Sequence, residues 1–408
     1  MTGAWAAVLW MCTALASPVP SSADAEGKER DERVEQLFAT GRVAEAEALA
    51  RESLEDRRRA GGDAHLDFAS SLHNLVAILL SQGKGKAALP LSEEYVAVRR
   101  AALERVRDTA EVEQARLLLA MSLGYLAKLR KEQANYSTAL ALHDENIAIR
   151  RSMLGEDRTD PDWLDFATQL NNLATVYRTM GNYAAAEPIF EEALTILENA
   201  LGEHPRVGTI LNNLAGIAEA KGDYDAARLL YERSLAAYRT SLGDGDPLVG
   251  ICLGNLAGLA VDQGHFDEAQ SLFEESAAIF RNAPGQEGEE AVTLNNLGLL
   301  LREQGKFAEA RQPLEDSLAM TREALGDDHP DVATGTSNLA MVLESLGLYG
   351  EARRTYEKSL AISKANLGED HPNASARNNL ASLLIRQGDY VAARGLLEDV
   401  LFHRRQAG

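Results

Sequence analysis

Residues 331–368 read DVATGTSNLAMVLESLGLYGEARRTYEKSLAISKANLG, and their periodicity decides the fold. With Leu339 as the reference position, Val332, Thr336, Leu339, Ala340 and Leu343 fall on one stripe of a helix that advances about 100° per residue. Gly347 ends that helix. A second begins at Tyr349 and carries Ala352, Tyr356, Ser359, Leu360 and Ala361 along one face. Two helices joined by a glycine turn cannot bury both apolar faces alone, so the unit requires neighbours.

The neighbours are copies of itself. The reference leucine recurs at Leu75, Leu126, Leu173, Leu214, Leu256, Leu297, Leu339 and Leu380. The last six stand about 42 residues apart, within the range of helical solenoid repeats. Eight residues after each comes a stop, at Gly83, Ala134, Gly181, Gly222, Gly264, Gly305, Gly347 and Gly388. An aromatic usually follows two residues later, and an alanine lies three beyond that, at Ala88, Ala139, Ala186, Ala227, Ala269, Ala310, Ala352 and Ala393. A degenerate first copy keeps Gly41, Val43 and Ala46 but has Arg33 at the reference position.

The chain resembles the tetratricopeptide repeat in the long-helix form of kinesin light chains and related bacterial proteins. The resemblance rests on Asn-Asn-Leu-Ala at 171–174, 212–215 and 378–381, and on the linker Leu-Gly-(Glu/Asp)-x-His-Pro. That linker is complete at Leu325–Pro330 and Leu367–Pro372, shortened at Leu201–Pro205 and altered at Leu242–Pro247. It implies an all-α, right-handed superhelical solenoid of about nine antiparallel helix pairs over residues 31–405. No long heptad coiled coil is present, so binding to a motor chain is not implied.

Composition agrees with stacked helices: 45% of the 408 residues are hydrophobic but only 6% aromatic. The formal net charge of −21 argues against nucleic acid or an anionic membrane surface, which require a basic footprint. Residues 4–16 are apolar and end in Ala14-Leu15-Ala16, a candidate signal peptide over 1–16 that is too short to span a bilayer. If it is cleaved, the protein is exported, without membrane insertion, and Cys252 alone remains; otherwise the protein is cytoplasmic. Residues 17–30 read as a flexible leader. Two insertions, Glu104–Glu113 and Glu156–Trp163, account for the long early spacings. The linker Arg281–Glu290 lacks the Leu-Gly-x-x-His-Pro pattern and crowds Glu287, Glu289 and Glu290, which marks 281–290 as a candidate hinge.

No assembled chemistry is legible. Asp328-His329 and Asp370-His371 lie a full repeat apart, too far to share an ion, and precede prolines suited to a helix's first turn. Gly83-Lys84-Gly85-Lys86 follows a helix and lacks the Ser/Thr of a phosphate loop. The paired glutamates 191–192 and 274–275 recur at equivalent positions, as a solvated face does. Neither catalytic residues, a metal nor a cofactor is expected.

One pattern remains. The residue before the reference leucine is Asn172, Asn213, Asn255, Asn296, Asn338 and Asn379, about 145° from the centre of the apolar stripe. Short side chains flank it at Thr168, Thr209, Thr334, Thr175, Gly216 and Gly258. An amide both donates and accepts, so such a row can grip an extended peptide by its backbone. The resemblance implies the same contacts on a concave face lined by first helices. The competing reading is that the amides bond helix to helix and hold the repeats in register. Arg178, Arg302 and Arg386 are the cationic groove candidates, interspersed with Glu219, Asp262 and Glu303. The expected function is a non-enzymatic protein- or peptide-binding scaffold; a sensory receptor taking a small molecule or glycan in the same groove is the alternative.

Overall fold

The computed structural model describes residues 22–59, 66–156, 160–367 and 374–407. These hold eighteen helices and no strand, paired as nine hairpins. The first four hairpins are α1 (Ser22–Ala39) with α2 (Val43–Arg59), α3 (Leu66–Ser81) with α4 (Gly85–Arg105), α5 (Thr109–Glu132) with α6 (Tyr136–Met153), and α7 (Pro161–Thr179) with α8 (Tyr183–Leu201). The other five are α9 (Pro205–Ala220) with α10 (Tyr224–Leu242), α11 (Pro247–Asp262) with α12 (Phe266–Arg281), α13 (Glu287–Glu303) with α14 (Phe307–Leu325), α15 (Pro330–Ser345) with α16 (Tyr349–Leu367), and α17 (Ala374–Arg386) with α18 (Tyr390–Ala407).

The chain forms two compact units, meeting in sequence at Gly202 and Glu203. Within each, every helix packs on the next in sequence, the arrangement of an all-α solenoid. Each hairpin turn is a left-handed C-cap. Gly347, at φ 75°, lets the Leu348 N–H reach the Leu343 carbonyl at 2.9 Å, satisfying a carbonyl the helix end would orphan. Ala134, at φ 58°, makes the same turn without glycine, and Asn135 N bonds Arg130 O at 2.9 Å.

Five of the first-helix starts carry side-chain caps. The histidines of the linker motif are themselves caps: His204 Nδ1 accepts from Arg206 N and His329 Nδ1 from Asp331 N, each at 3.2 Å, with Pro205 and Pro330 in the first turn. Asp108, Asp160 and Asp246 do the same job for α5, α7 and α11.

The apolar stripes fill the core as their spacing predicts, with Leu173, Leu214, Leu256, Leu297 and Leu380 buried. Four buried serines cross-link second helix to first. Ser234, Ser276, Ser317 and Ser359 donate to Gly208, Gly250, Ala291 and Ala333 carbonyls at 2.7–2.8 Å; Asn146 does so to Ala120 in the first unit. Cys252 is buried, donates to Tyr231 O at 3.3 Å, and burial pushes its thiol up to about 11, so it is a packing residue.

Two expectations meet a different geometry. Residues 22–30, expected as a leader, are helical from Ser22; the helix is tied down by Arg30–Asp56 at 2.6 Å and Asp31–Arg57 at 2.9 Å. The insertion Glu104–Glu113 leaves only 106–108 outside helices, because Asp108 caps a helix that starts at once. At the candidate hinge, Glu290 is buried and pairs with Arg281 at 2.9 Å, and all three glutamates lie in the first turn of α13, where the helix dipole favours them. Residues 1–16 lie outside the described residues. No described helix is long and apolar enough to cross a membrane.

Candidate functional site

The asparagine row stands on first helices in both units. Asn172, on α7, is half-buried in the first unit. In the second, Asn213, Asn255, Asn338 and Asn379 are half-buried and Asn296 is exposed. Three of them already bond the preceding first helix: Asn255 Nδ2 donates to Asn212 Oδ1 and Asn338 Nδ2 to Asn295 Oδ1, both at 2.9 Å, and Asn379 Nδ2 reaches Ser337 Oγ at 3.5 Å. The acceptor is always the residue two before its own leucine. Those partners were not singled out in the sequence, although the doubled Asn-Asn at 212–213 and 295–296 carries the signal: the first amide of each pair accepts from the asparagine of the next first helix.

Asn296 differs. Its Oδ1 accepts only a long 3.4 Å bond from its neighbour Asn295, which leaves the side chain turned to solvent.

The cationic candidates separate. Arg178 belongs to α7 in the first unit, where its Nε lies buried without a hydrogen-bond partner among the described residues. Its charge, after burial, also helps hold Lys131 below the ordinary lysine range. Arg302 and Arg386 come together in the second unit. With Glu303, Phe307, Met341, Glu344 and Ser345 they line a cleft of about 280 Å³ at the C-terminal ends of α13, α15 and α17. Glu344 is well satisfied, taking the Tyr356 hydroxyl at 3.2 Å and facing Arg386 Nε at 3.4 Å. Arg302 is not: its Nη1 donates to the Met341 thioether at 2.9 Å, a weak acceptor for a guanidinium. Glu219 shows the Glu344 arrangement again, accepting from Tyr231 at 2.8 Å, and burial raises its pKa. The glutamate–tyrosine pairs stand twelve residues apart in each hairpin, a spacing that could have been read in advance.

Among the described residues no three His, Cys, Asp or Glu side chains gather in a way that could hold a metal ion. His329, beside Asp328, acts instead as the helix cap described above, and His371 lies outside the described residues.

Helix pairs closed by left-handed turns and stacked in order within each unit define a helical-repeat solenoid. Tetratricopeptide-repeat models match residues 32–101, 165–240, 230–282, 248–323, 289–342 and 331–405, with a further one at 119–161. The chain belongs to the tetratricopeptide-repeat family. No curated protein sequence matches it. Among solved structures it is similar to BtubC (BKLC) from P. vanneervenii, with 26% identity over 59% of this chain and 94% of that one, at a TM-score of 0.49. It is similar to a putative kinesin light chain of Podosopora anserina, at 24% identity over 49% and 95% and a TM-score of 0.43. The quorum sensor NprR from B. thuringiensis, in its apo form, aligns over 94% of this chain and 100% of its own at 14% identity and a TM-score of 0.59. At that identity the likeness is one of fold.

Proposed function

We propose that the chain is a non-enzymatic scaffold that binds an extended protein or peptide segment along its first helices. The observation that carries this reading is Arg302, a half-buried guanidinium facing a polar cleft with a thioether as its acceptor, one and a half turns from the solvent-facing amide of Asn296. A peptide main chain offers the amide its donor and acceptor, and a carbonyl or carboxylate offers the guanidinium a better partner than sulfur. The cleft falls just below the usual volume of about 300–1,000 Å³ for small-molecule pockets and has one aromatic, Phe307. That favours a chain lying across the surface over an enclosed ligand.

The amides divide into two kinds under this reading. Asn255 and Asn338 hold register; Asn296 is free to contact a ligand. Peptides selected from a random display library against the full chain should lose about tenfold or more in affinity with Asn296→Ala or Arg302→Ala, while far-UV circular dichroism and thermal stability stay unchanged. Asn255→Ala should instead lower stability by about 1 kcal/mol, since it removes a bond between helices. If no peptide is selected, or if Asn296→Ala and Arg302→Ala bind selected peptides as the parent does, the reading fails.

A further inference from the structure

Neighbouring second helices are tied by a recurring ion pair. Arg58 meets Glu94 and Arg100 meets Glu145 at 2.5 Å, Arg151 meets Glu192 at 3.0 Å, and in the second unit Arg239 meets Glu275 at 2.5 Å. Each arginine stands 25 residues after its hairpin's reference position and each glutamate 19 after. A second rung runs from position 14 of one hairpin to the start of the next second helix: Arg228–Glu268 at 2.6 Å and Arg311–Glu351 at 3.8 Å, both acids at position 12. In all these rungs the cation belongs to the earlier hairpin and the acid to the later one.

The last hairpin carries the cations of a rung that nothing described completes. Arg394 stands at position 14, exposed and without an ion pair among the described residues, and position 25 is again an arginine, residue 405. The first hairpin carries the matching acids, Glu45 at position 12 and Glu52 at position 19, both exposed. Glu45 holds Arg42, the residue just before its helix, at 2.5 Å; Glu268 likewise faces His265, just before its own helix, at 3.7 Å while it meets Arg228, so a local partner does not block the rung.

Apolar side chains mark the same end. Position 21 of the hairpin is buried at Leu54, Val96, Ile147, Leu318 and Leu360, yet Leu401 is 53% exposed. Tyr390 is 67% and Val391 86% exposed. Where Val391 stands, the earlier hairpins place Ala44, Lys86, Ser137, Ala184, Asp225, Asp267, Ala308 and Gly350, so an apolar side chain larger than a methyl group is particular to this hairpin.

We propose that this end binds a second copy of the chain head to tail, α17–α18 of one molecule stacking on α1–α2 of the next so that the rungs continue across the junction. Tail-to-tail pairing would oppose Arg386 and Arg394 to their own copies and is disfavoured by charge. A head-to-tail contact is heterologous and repeats, so it yields short chains of molecules whose length rises with concentration.

Sedimentation velocity of the full chain tests it. The weight-average sedimentation coefficient should rise with protein concentration and fall with added salt, which screens exposed pairs. Arg394→Glu and Glu52→Arg should each weaken association by about tenfold or more, because each sets like charges face to face. Mixing the two variants should restore it as far as pairs of molecules, since the intact cationic end of the Glu52→Arg chain then meets the intact acidic end of the Arg394→Glu chain. Val391→Asp, at a position too exposed to affect folding, should weaken association as well. A chain that stays monomeric at every concentration overturns the proposal. So does association that ignores Glu52→Arg, or single variants that the mixture fails to rescue.

Discussion

The two units solve one packing problem with different chemistry. Late in the second helices, 24 residues past the reference position, the described hairpins from Arg57 to Phe280 turn a side chain inward beneath the first helix. The first three hairpins place arginines there: Arg57, Arg99 and Arg150. Arg57 bonds Asp31 at 2.9 Å and also reaches Ser71; Arg99 is buried with its guanidinium 5.2 Å from the Tyr95 ring centre; Arg150 is buried, bonds Asn146 Oδ1 at 3.1 Å and lies 3.8 Å from Asp165. The second unit opens with rings instead, Tyr238 and Phe280, and pairs each with a glycine, Gly208 and Gly250, where six of the other seven hairpins carry alanine. A Cβ on either glycine would come within 2.9 Å of the ring. The glycine is thus the notch in which the ring sits. A buried guanidinium must recover its desolvation through hydrogen bonds and charge partners, whereas a ring needs only volume. The site's backbone serves both, but the surroundings serve one each.

The largest effect should come from exchanging the solutions. Phe280→Arg puts a cation against Gly250 and Ile279 with no acid built to meet it, and should cost at least about 3–5 kcal/mol. The opposite change in the first unit, Arg99→Leu, should be close to neutral or stabilising, because a hydrophobe of similar volume removes a desolvation cost. Chemical denaturation by circular dichroism, with hydrogen exchange to locate the loss, separates the cases. If Phe280→Arg costs under about 1 kcal/mol, the two units are not chemically distinct at this position.

A smaller effect follows from buried histidines, which the described part of the first unit has and that of the second lacks. His73 lies between Tyr95 and Tyr125, bonding the Tyr95 hydroxyl at 3.4 Å; His143 lies on α6. Burial first, then the charge of Arg99 or Lys131 respectively, lowers each to about 4. A depressed pKa means that the unfolded chain binds the proton more readily. The neutral form's stability is therefore whole above about pH 6.5 and is lost as pH falls toward 4. The loss is at most roughly 3 kcal/mol per histidine. Hydrogen exchange on α3–α6 should accelerate over that window while α9–α16 change less, and His73→Phe should blunt the response. Equal acceleration in both units would erase this contrast.

How much of this was legible depends on whether one helix or two decides a feature. Leu339 and its equivalents, the stops at Gly347 and its equivalents, and the capping prolines are properties of single helices, and the sequence displays them. The bond from Asn255 to Asn212 depends on the axial offset between adjacent first helices, which no single-helix wheel contains. The same holds for the cleft, where Met341 and Arg386 join Arg302 only after three hairpins stack. Residues 22–30 misread for another reason: Ser-, Gly- and charge-rich composition suits a leader, but the ion pairs Arg30–Asp56 and Asp31–Arg57 form only once α2 is in place. The notch at Gly250 was readable in principle, since both hairpins with a ring at that place, Tyr238 and Phe280, carry glycine 30 residues earlier.

That pairing gives the finest test of the comparison. Gly250 and Gly258 lie two turns apart on α11, both helical, so alanine at either gains about 0.5–1 kcal/mol by restricting the unfolded chain. At Gly258 nothing lies within 4 Å of the new methyl group, and the gain should appear undiminished. At Gly250 the methyl group would meet Phe280 Cζ at 2.9 Å and Ile279 Cγ2 at 3.3 Å, so the ring must move within a packed core at a cost of about 1–3 kcal/mol. Gly250→Ala should therefore be destabilising by about 1 kcal/mol net, opposite in sign to Gly258→Ala. The fourth hairpin indicates the cure, because it carries Ala167 and Leu197 at these two positions and buries both. Gly250→Ala combined with Phe280→Leu should then cost less than the sum of the two single changes, a coupling of about 1 kcal/mol measurable by denaturation of the four-member cycle. Strict additivity would mean that glycine and ring are neighbours without being partners.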